Sequence, residues 1–165
     1  TSGSGKSTLA VSLERHFHEQ GRLTQVLDGD NIRHGINRDL GFSLEDREEN
    51  IRRISEIAKL SRNLGVITIA SFITPTNALR SIAQDIIGTD LLQVYIKASY
   101  EACEERDVKG LYAKAKSGEV KQFTGKDSLF EEPDNADLIL DTETLSIEEA
   151  TQQLIDVVSP RIAHS

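Results

Sequence analysis

The chain has 165 residues, and 19 Lys and Arg stand against 27 Asp and Glu for a formal net charge of −8. That length suits one domain, and 38% hydrophobic residues supply enough apolar surface to repay ordering, which excludes a disordered chain. So acidic a protein is a poor non-specific partner for nucleic acid or an anionic membrane, since both are bound through basic surfaces. Any anionic ligand must be held by a local basic cluster working against the overall field. The single cysteine, Cys103, can form no internal disulfide and no cysteine-rich metal site. No apolar run has the length of a membrane span or the profile of a signal peptide. A cytoplasmic protein without membrane or nucleic-acid partners is the expectation.

In chain order, Leu9, Leu13 and Phe17 recur at helical spacing, and Gly21 stands where a helix C-cap belongs. Leu23 to Leu27 reads as a short strand ending in Asp28-Gly29-Asp30. Ser43 with Asp46 forms a capping box for a long helix whose apolar face carries Ile51, Ile54, Ile57, Ala58 and Leu64 before Gly65 stops it. Val66 to Phe72 is nearly continuous in apolar residues, as expected of a strand buried on both faces of a parallel sheet. A helix with Leu79, Ile82, Ala83 and Ile86 ends at Gly88, and Leu91 to Ile96 and Leu138 to Leu140 are further strands. Ser146 and Glu149 cap a C-terminal helix carrying Ala150, Leu154, Val157 and Val158. This alternation implies right-handed βαβ units: an α/β three-layer sandwich, its parallel sheet covered by helices on both faces. From about 107 to 134 the pattern lapses into a polar stretch, which reads as a lid within a single domain spanning 1–165.

The first residues are Thr1-Ser2-Gly3-Ser4-Gly5-Lys6-Ser7-Thr8. They match a phosphate-binding (Walker A) loop from its third position on, and the loop's first glycine and feeding strand are expected ahead of Thr1. Gly3 and Gly5 let backbone N–H groups turn inward as an anion nest at a helix N-terminus. Lys6 can reach the β- and γ-phosphates, and the Ser7 hydroxyl can ligate Mg²⁺. A Gly/Ser turn could also merely cap an amphipathic helix. Gly-Lys-Ser-Thr opening a helix ahead of strands that end in acids favours the phosphate loop. The guanine-reading Asn-Lys-x-Asp signature is not found, and no strand ends in the Asp-Glu pair of a hydrolytic ATPase. Asp28 and Asp30 instead follow the second strand of such a fold and point to its C-terminal edge, where the loop also lies. One carboxylate can hold Mg²⁺ or its water while the other accepts a proton from an acceptor hydroxyl. Asp-Gly-Asp is also a common turn, but its place one βα unit after a phosphate loop argues for chemistry.

The runs from Asp28 to Phe42 and from Asp46 to Arg53 closely resemble the adenylylsulfate (APS) kinase family. So do Ser71-Phe72-Ile73-Thr74-Pro75, the stretch from Arg106 to Tyr112, and Phe123-Thr124-Gly125, in the family's order. The resemblance implies a P-loop kinase fold with a lid and transfer of the γ-phosphoryl of MgATP to the 3′-hydroxyl of adenosine 5′-phosphosulfate. It implies a phosphoryl-transfer centre of Lys6, Ser7, Asp28 and Asp30, with Mg²⁺ on Ser7 and Asp28. ATP would be bound by the loop from Ser2 through Gly3, Ser4, Gly5, Lys6 and Ser7 to Thr8, with Arg106 near its adenine. Phe42 and Phe123 would sandwich the acceptor's adenine, as aromatic rings suit a base. Arg33, Arg47 and Asn50 would bind its phosphosulfate and ribose region, alongside Ile73, Thr74 and Lys109. Guanidinium forks match tetrahedral oxyanions. By the same resemblance a homodimer is expected, either free or fused to or partnered with an ATP sulfurylase.

The sequence departs from the family where Thr74 replaces a usual serine, at Thr76-Asn77-Ala78-Leu79, and in the lid at Lys116, Gln122, Lys126 and Leu129. These positions surround the acceptor, so two other readings stand beside APS phosphorylation. One is a kinase of the same family acting on a different nucleotide-like acceptor. The other is a catalytically silent nucleotide-binding domain regulating a sulfurylase, against which the complete set of Lys6, Ser7, Asp28 and Asp30 counts.

Overall fold

A computed structural model describes residues 1–107, 110, 112, 113 and 130–162. Helix α1 (Lys6–Glu19) opens directly from the glycine-rich loop and buries the stripe Leu9, Ala10, Leu13 and Phe17. It stops at Gly21, whose φ of 74° lets the Arg22 N–H reach back to the Phe17 carbonyl at 3.0 Å. Strand β1 (Thr24–Asp28) leads straight into a short helix, α2 (Gly29–His34). Asp28 caps that helix, with its Oδ1 accepting the Asp30 N–H at 3.0 Å. The Asp-Gly-Asp run is therefore a strand-to-helix junction and not an isolated turn. Helix α3 (Leu44–Asn63) begins at Ser43, whose hydroxyl accepts the Asp46 N–H at 3.1 Å, the expected cap.

Strand β2 (Ile67–Ser71) and helix α4 (Asn77–Ile87) follow, the helix capped by Thr76 and closed by Gly88 at φ 77°. Strand β3 (Val94–Lys97) starts later than the apolar run suggested. A 3₁₀ turn over Gly88–Asp90 precedes Leu91, and the Gln93 N–H is captured by the Asp137 carboxylate at 2.7 Å. Helix α5 (Tyr100–Arg106) carries the fully buried Cys103. Strand β4 (Leu138–Asp141) and helix α6 (Ile147–Ile162) complete the described chain. Ser146 and Glu149 cap α6 reciprocally at 2.9 and 3.1 Å.

Strands β1 and β2 pair in parallel with Asp28 beside Ser71, and β3 and β4 pair in parallel with Lys97 beside Asp141. Among the described residues the two pairs are not hydrogen-bonded to one another. This corrects one expectation. β2 is half-buried along Ile67–Ile69 and exposed at Ala70, because one of its edges carries no partner strand among the described residues. Leu64, expected on the apolar face of α3, lies beyond its last turn and is exposed.

A shared core joins the pairs. Leu9, Leu13 and Phe17 of α1 pack with Leu140 of β4 and with Ala150 and Leu154 of α6. Ile67 and Ile69 of β2 and Val94 and Ile96 of β3 press on the same cluster. On the opposite face of the β1–β2 pair, Leu27 packs with Ile32 and with Ile54 of α3. Phe17, with no exposed surface, belongs to the cluster that both strand pairs share. Phe17→Ala is expected to cost about 3–5 kcal/mol, the usual loss for a buried phenylalanine. Urea unfolding monitored by circular dichroism measures it, and a loss below about 1 kcal/mol would show that the halves are joined elsewhere.

Candidate active site

The N-terminus of α1 and the C-terminal ends of β1, β2 and β4 open onto one cleft of about 680 Å³. In the loop at its floor, Gly3 and Gly5 have φ of 80° and 95°, a region that side chains strain to enter. Gly3 is also in tight contact with α5, since a Cβ there would stand 2.8 Å from the Cys103 carbonyl oxygen. Ser2, Gly5 and Thr8 line the cleft. Ser4 does not: it is fully buried, and its hydroxyl donates to the Thr1 carbonyl at 3.0 Å. Lys6 folds back over the loop, its Nζ donating to the Thr1 carbonyl and to Ser4 Oγ. Ser7 Oγ donates to Asp28 Oδ2 at 2.7 Å. The phosphate-loop hydroxyl and the acid at the end of β1 thus form one oxygen-rich corner, and Asp30 lines the cleft one residue into α2.

A basic and aromatic wall lines the same cleft. Arg33 donates to the Gly41 carbonyl at 2.8 Å, and its guanidinium lies 4.2 Å from the centre of the Phe42 ring. Arg47 Nε donates to the Phe42 carbonyl at 3.0 Å. Phe42 is 55% exposed, which excludes a core role for the ring. Burial lowers the pKa of both guanidinium groups, and the charge of Arg33 lowers that of Arg47 further. Both start so far above neutrality that they stay charged. Two desolvated cations beside each other favour an anion between them, and they are the basic cluster that an acidic chain requires.

Asn50 and Ile73 complete this wall. Thr74 does not reach it and borders an adjoining cavity of about 60 Å³ with Lys6 and Arg80. Lys109 and Phe123, together with most of the expected lid, lie outside the described residues. At the other end, Arg106 donates to the Thr142 carbonyl at 2.8 Å, to Thr142 Oγ1 at 3.1 Å and to the Gly3 carbonyl at 3.4 Å.

Three residues of the site were not singled out from sequence. Thr142 follows β4 and ties it to the loop, donating to the Ser4 carbonyl at 3.1 Å. Tyr112 is buried and donates to the Ser2 carbonyl at 2.8 Å. Ser71, paired with Asp28 across the sheet, lines the cleft and keeps its Oγ buried with no hydrogen-bond partner among the described residues. Thr142 and Ser71 share one signal, a polar residue at or just past the C-terminal end of a parallel strand.

A phosphate loop opening α1, an acid at the end of β1 and a parallel sheet between helical layers define a P-loop kinase. The sequence profile of the adenylylsulphate kinase family matches residues 1–141, and the chain belongs to that family. It is 55% identical over 162 residues to an adenylyl-sulfate kinase of Bacteroides thetaiotaomicron, covering 98% of this chain and 81% of that one. An adenylyl-sulfate kinase of Staphylococcus carnosus is 52% identical over 155 residues, covering 93% and 78%. The APS kinase of Mycobacterium tuberculosis, solved in complex with AMPPNP and APS, superposes with a TM-score of 0.92 at 44% identity over 96% of this chain and 93% of that one.

The basic wall is braced from behind by α3. Arg53 grips the Asp39 carboxylate at 2.8 and 2.9 Å and Glu49 at 2.7 Å, and Arg52 holds Glu49 at 2.7 Å. Hydrogen bonds from Arg52 and Arg53 lower the Glu49 pKa from 4.5 to about 2. A carboxylate lowered on folding stabilises fully above its unfolded value and loses that contribution as pH falls through the folded one. Stability is therefore expected to decline between pH 4.5 and 2, and Glu49→Gln should flatten that limb by lowering the neutral plateau while leaving the acid end little changed. Urea midpoints against pH read the difference; parallel curves for the two proteins would remove Glu49 from the acid response.

Proposed function

We propose that this protein transfers the γ-phosphoryl group of ATP to the 3′-hydroxyl of adenosine 5′-phosphosulfate, giving 3′-phosphoadenosine 5′-phosphosulfate and ADP. One observation carries the reading. A single cleft holds Lys6 and Ser7 beside Asp28 on one side, and two desolvated arginines beside an exposed phenylalanine on the other. An acceptor with an aromatic base and a doubly anionic phosphosulfate matches the second wall, and a nucleoside triphosphate matches the first.

The loop N–H groups and the α1 N-terminus receive the β- and γ-phosphates, with Arg106 towards the ATP base. Lys6 turns from the Thr1 carbonyl to the transferring phosphoryl, where its charge offsets the charge that develops on the equatorial oxygens. Asp30 accepts the proton of the 3′-hydroxyl as that oxygen bonds to phosphorus and the bond to ADP breaks. Ser7 and Asp28 are hard oxygen donors already in contact and suit Mg²⁺, which they would hold. When bound, Mg²⁺ neutralises phosphate charge. Phe42 offers its ring to the acceptor adenine, Arg33 and Arg47 take the phosphosulfate, and Lys109 and Phe123 are assigned to the same ligand by resemblance.

An ADP-release assay comparing adenosine 5′-phosphosulfate with other nucleotides tests the acceptor directly; a preferred acceptor without the phosphosulfate would overturn the reading. Lys6→Ala is expected to abolish turnover and keep a native melting curve, because the side chain serves the transferring charge and not the core. Phe42→Ala should weaken acceptor use by about 1–3 kcal/mol, the usual worth of a base-stacking ring. With Phe42 exposed, the melting temperature should hardly move, and the loss should fall on the acceptor KM and spare the ATP KM. A stable variant with a normal acceptor KM would take this ring out of the site.

A further inference from the structure

Behind the acceptor wall lies a polar group that the mechanism does not use. Asn37 has no exposed surface, and its side chain sits between α3 and the α2–α3 connection. Its Nδ2 donates to Asn50 Oδ1 at 2.9 Å, and its Oδ1 faces Arg53 at 3.5 Å. The same guanidinium holds the Ile36 carbonyl at 3.3 Å and both oxygens of Asp39.

These contacts have a direction. A guanidinium has only donors, so it accepts nothing from Asn37 and draws the amide oxygen towards itself. The amide nitrogen of Asn37 must then face Asn50, and Asn50 can answer it only with its oxygen. That leaves the Asn50 nitrogen on the remaining side. Asn50 is 6% exposed and lines the cleft. Its Nδ2 has no hydrogen-bond partner among the described residues, and it is not among the sealed, unpartnered polar atoms. An asparagine amide can otherwise turn either way, offering a donor or an acceptor to whatever fills the cleft.

We infer that Asn37 is a positioning residue that locks the Asn50 amide with its nitrogen towards the cleft, so that residue 50 addresses the acceptor as a hydrogen-bond donor. The orientation is relayed from an ion pair: Asp39 and Glu49 hold Arg53, Arg53 orients Asn37, and Asn37 orients Asn50. A donor at this place suits an oxygen-rich acceptor and disfavours one presenting an N–H or hydroxyl donor. The inference rests on the reading of this wall as the acceptor site.

Asn37→Asp tests it with little change of shape. The new carboxylate keeps its partner Arg53 but has lost the donor, so Asn50 must turn its nitrogen inward and its oxygen to the cleft. The acceptor KM for adenosine 5′-phosphosulfate is expected to rise about ten- to a hundredfold, the loss of a hydrogen bond to a charged group made worse by opposed lone pairs. The ATP KM and the melting temperature should stay near those of the parent. Asn37→Ser covers the case in which the aspartate variant does not fold. It removes the amide without imposing the opposite orientation, so Asn50 divides between two states and the acceptor KM rises about twofold. Asn50→Asp, measured alongside, asks separately whether residue 50 meets the acceptor. If Asn50→Asp raises the acceptor KM and folded Asn37→Asp does not, the orienting role is wrong while the acceptor wall stands. If Asn50→Asp leaves the acceptor KM unchanged, residue 50 does not meet this ligand, and the inference falls with that assignment. A uniform loss in melting temperature and in both KM values would reduce Asn37 to a structural part.

Discussion

The burial of one face of α1 is the constraint on which the rest of this molecule depends. Leu9, Leu13 and Phe17 share a cluster with Leu140, Ala150 and Leu154, against which Ile67 and Ile69 of one strand pair and Val94 and Ile96 of the other both press. Among the described residues the pairs share no hydrogen bonds, and both pack on this one apolar cluster. The same helix carries the phosphate loop at its first turn. The packing that joins the sheet therefore also places Lys6 and Ser7 at the strand ends where Asp28 and Ser71 stand side by side. Fold stability and the geometry of the anion site derive from one buried surface.

The loop is held from outside as well. Thr142 donates to the Ser4 carbonyl, Tyr112 to the Ser2 carbonyl and Arg106 to the Gly3 carbonyl. Each takes up an outward carbonyl of the loop. A chain segment whose N–H groups must turn inward to meet an anion leaves its carbonyls pointing the other way, and those carbonyls need donors. The donors come from α5, from the residues after it and from the end of β4, all far in sequence from the loop they hold.

Charge is divided along the same lines. Arg52 and Arg53 are committed to Glu49 and Asp39 at the protein surface, where they brace the α2–α3 connection. Arg33 and Arg47 instead donate to backbone carbonyls and lie by the Phe42 ring, partly buried. Four of the five arginines between 33 and 53 thus serve two purposes, one pair bracing through Glu49 and Asp39 and the other lining the cleft. In a chain of net charge −8, Arg33 and Arg47 give the cleft a local positive charge.

Much of this was legible in the sequence because it is local. The caps at Ser43 and at Ser146 with Glu149, the helix stops at Gly21 and Gly88, and the apolar stripe of α1 are short-range patterns, and the structure reproduces them. The phosphate loop and the acids after β1 are equally local, and their parallel strand setting already pointed them at one edge. What sequence could not supply were relations between distant segments. The half-burial of β2 among the described residues depends on which strands lie beside it, and a run of apolar residues carries no record of its neighbours. Ser4 belongs to the phosphate-loop motif, yet its side chain is turned inward to Thr1 and away from the cleft. Asn37 reads as one more polar loop residue until Arg53, 16 positions on, and Asn50 are found on either side of its amide. The sequence by itself determined the elements, the anion-binding loop and the family. Tertiary structure alone decided which polar atoms face the cleft, because a side chain's direction is set by partners that only folding brings within hydrogen-bond reach.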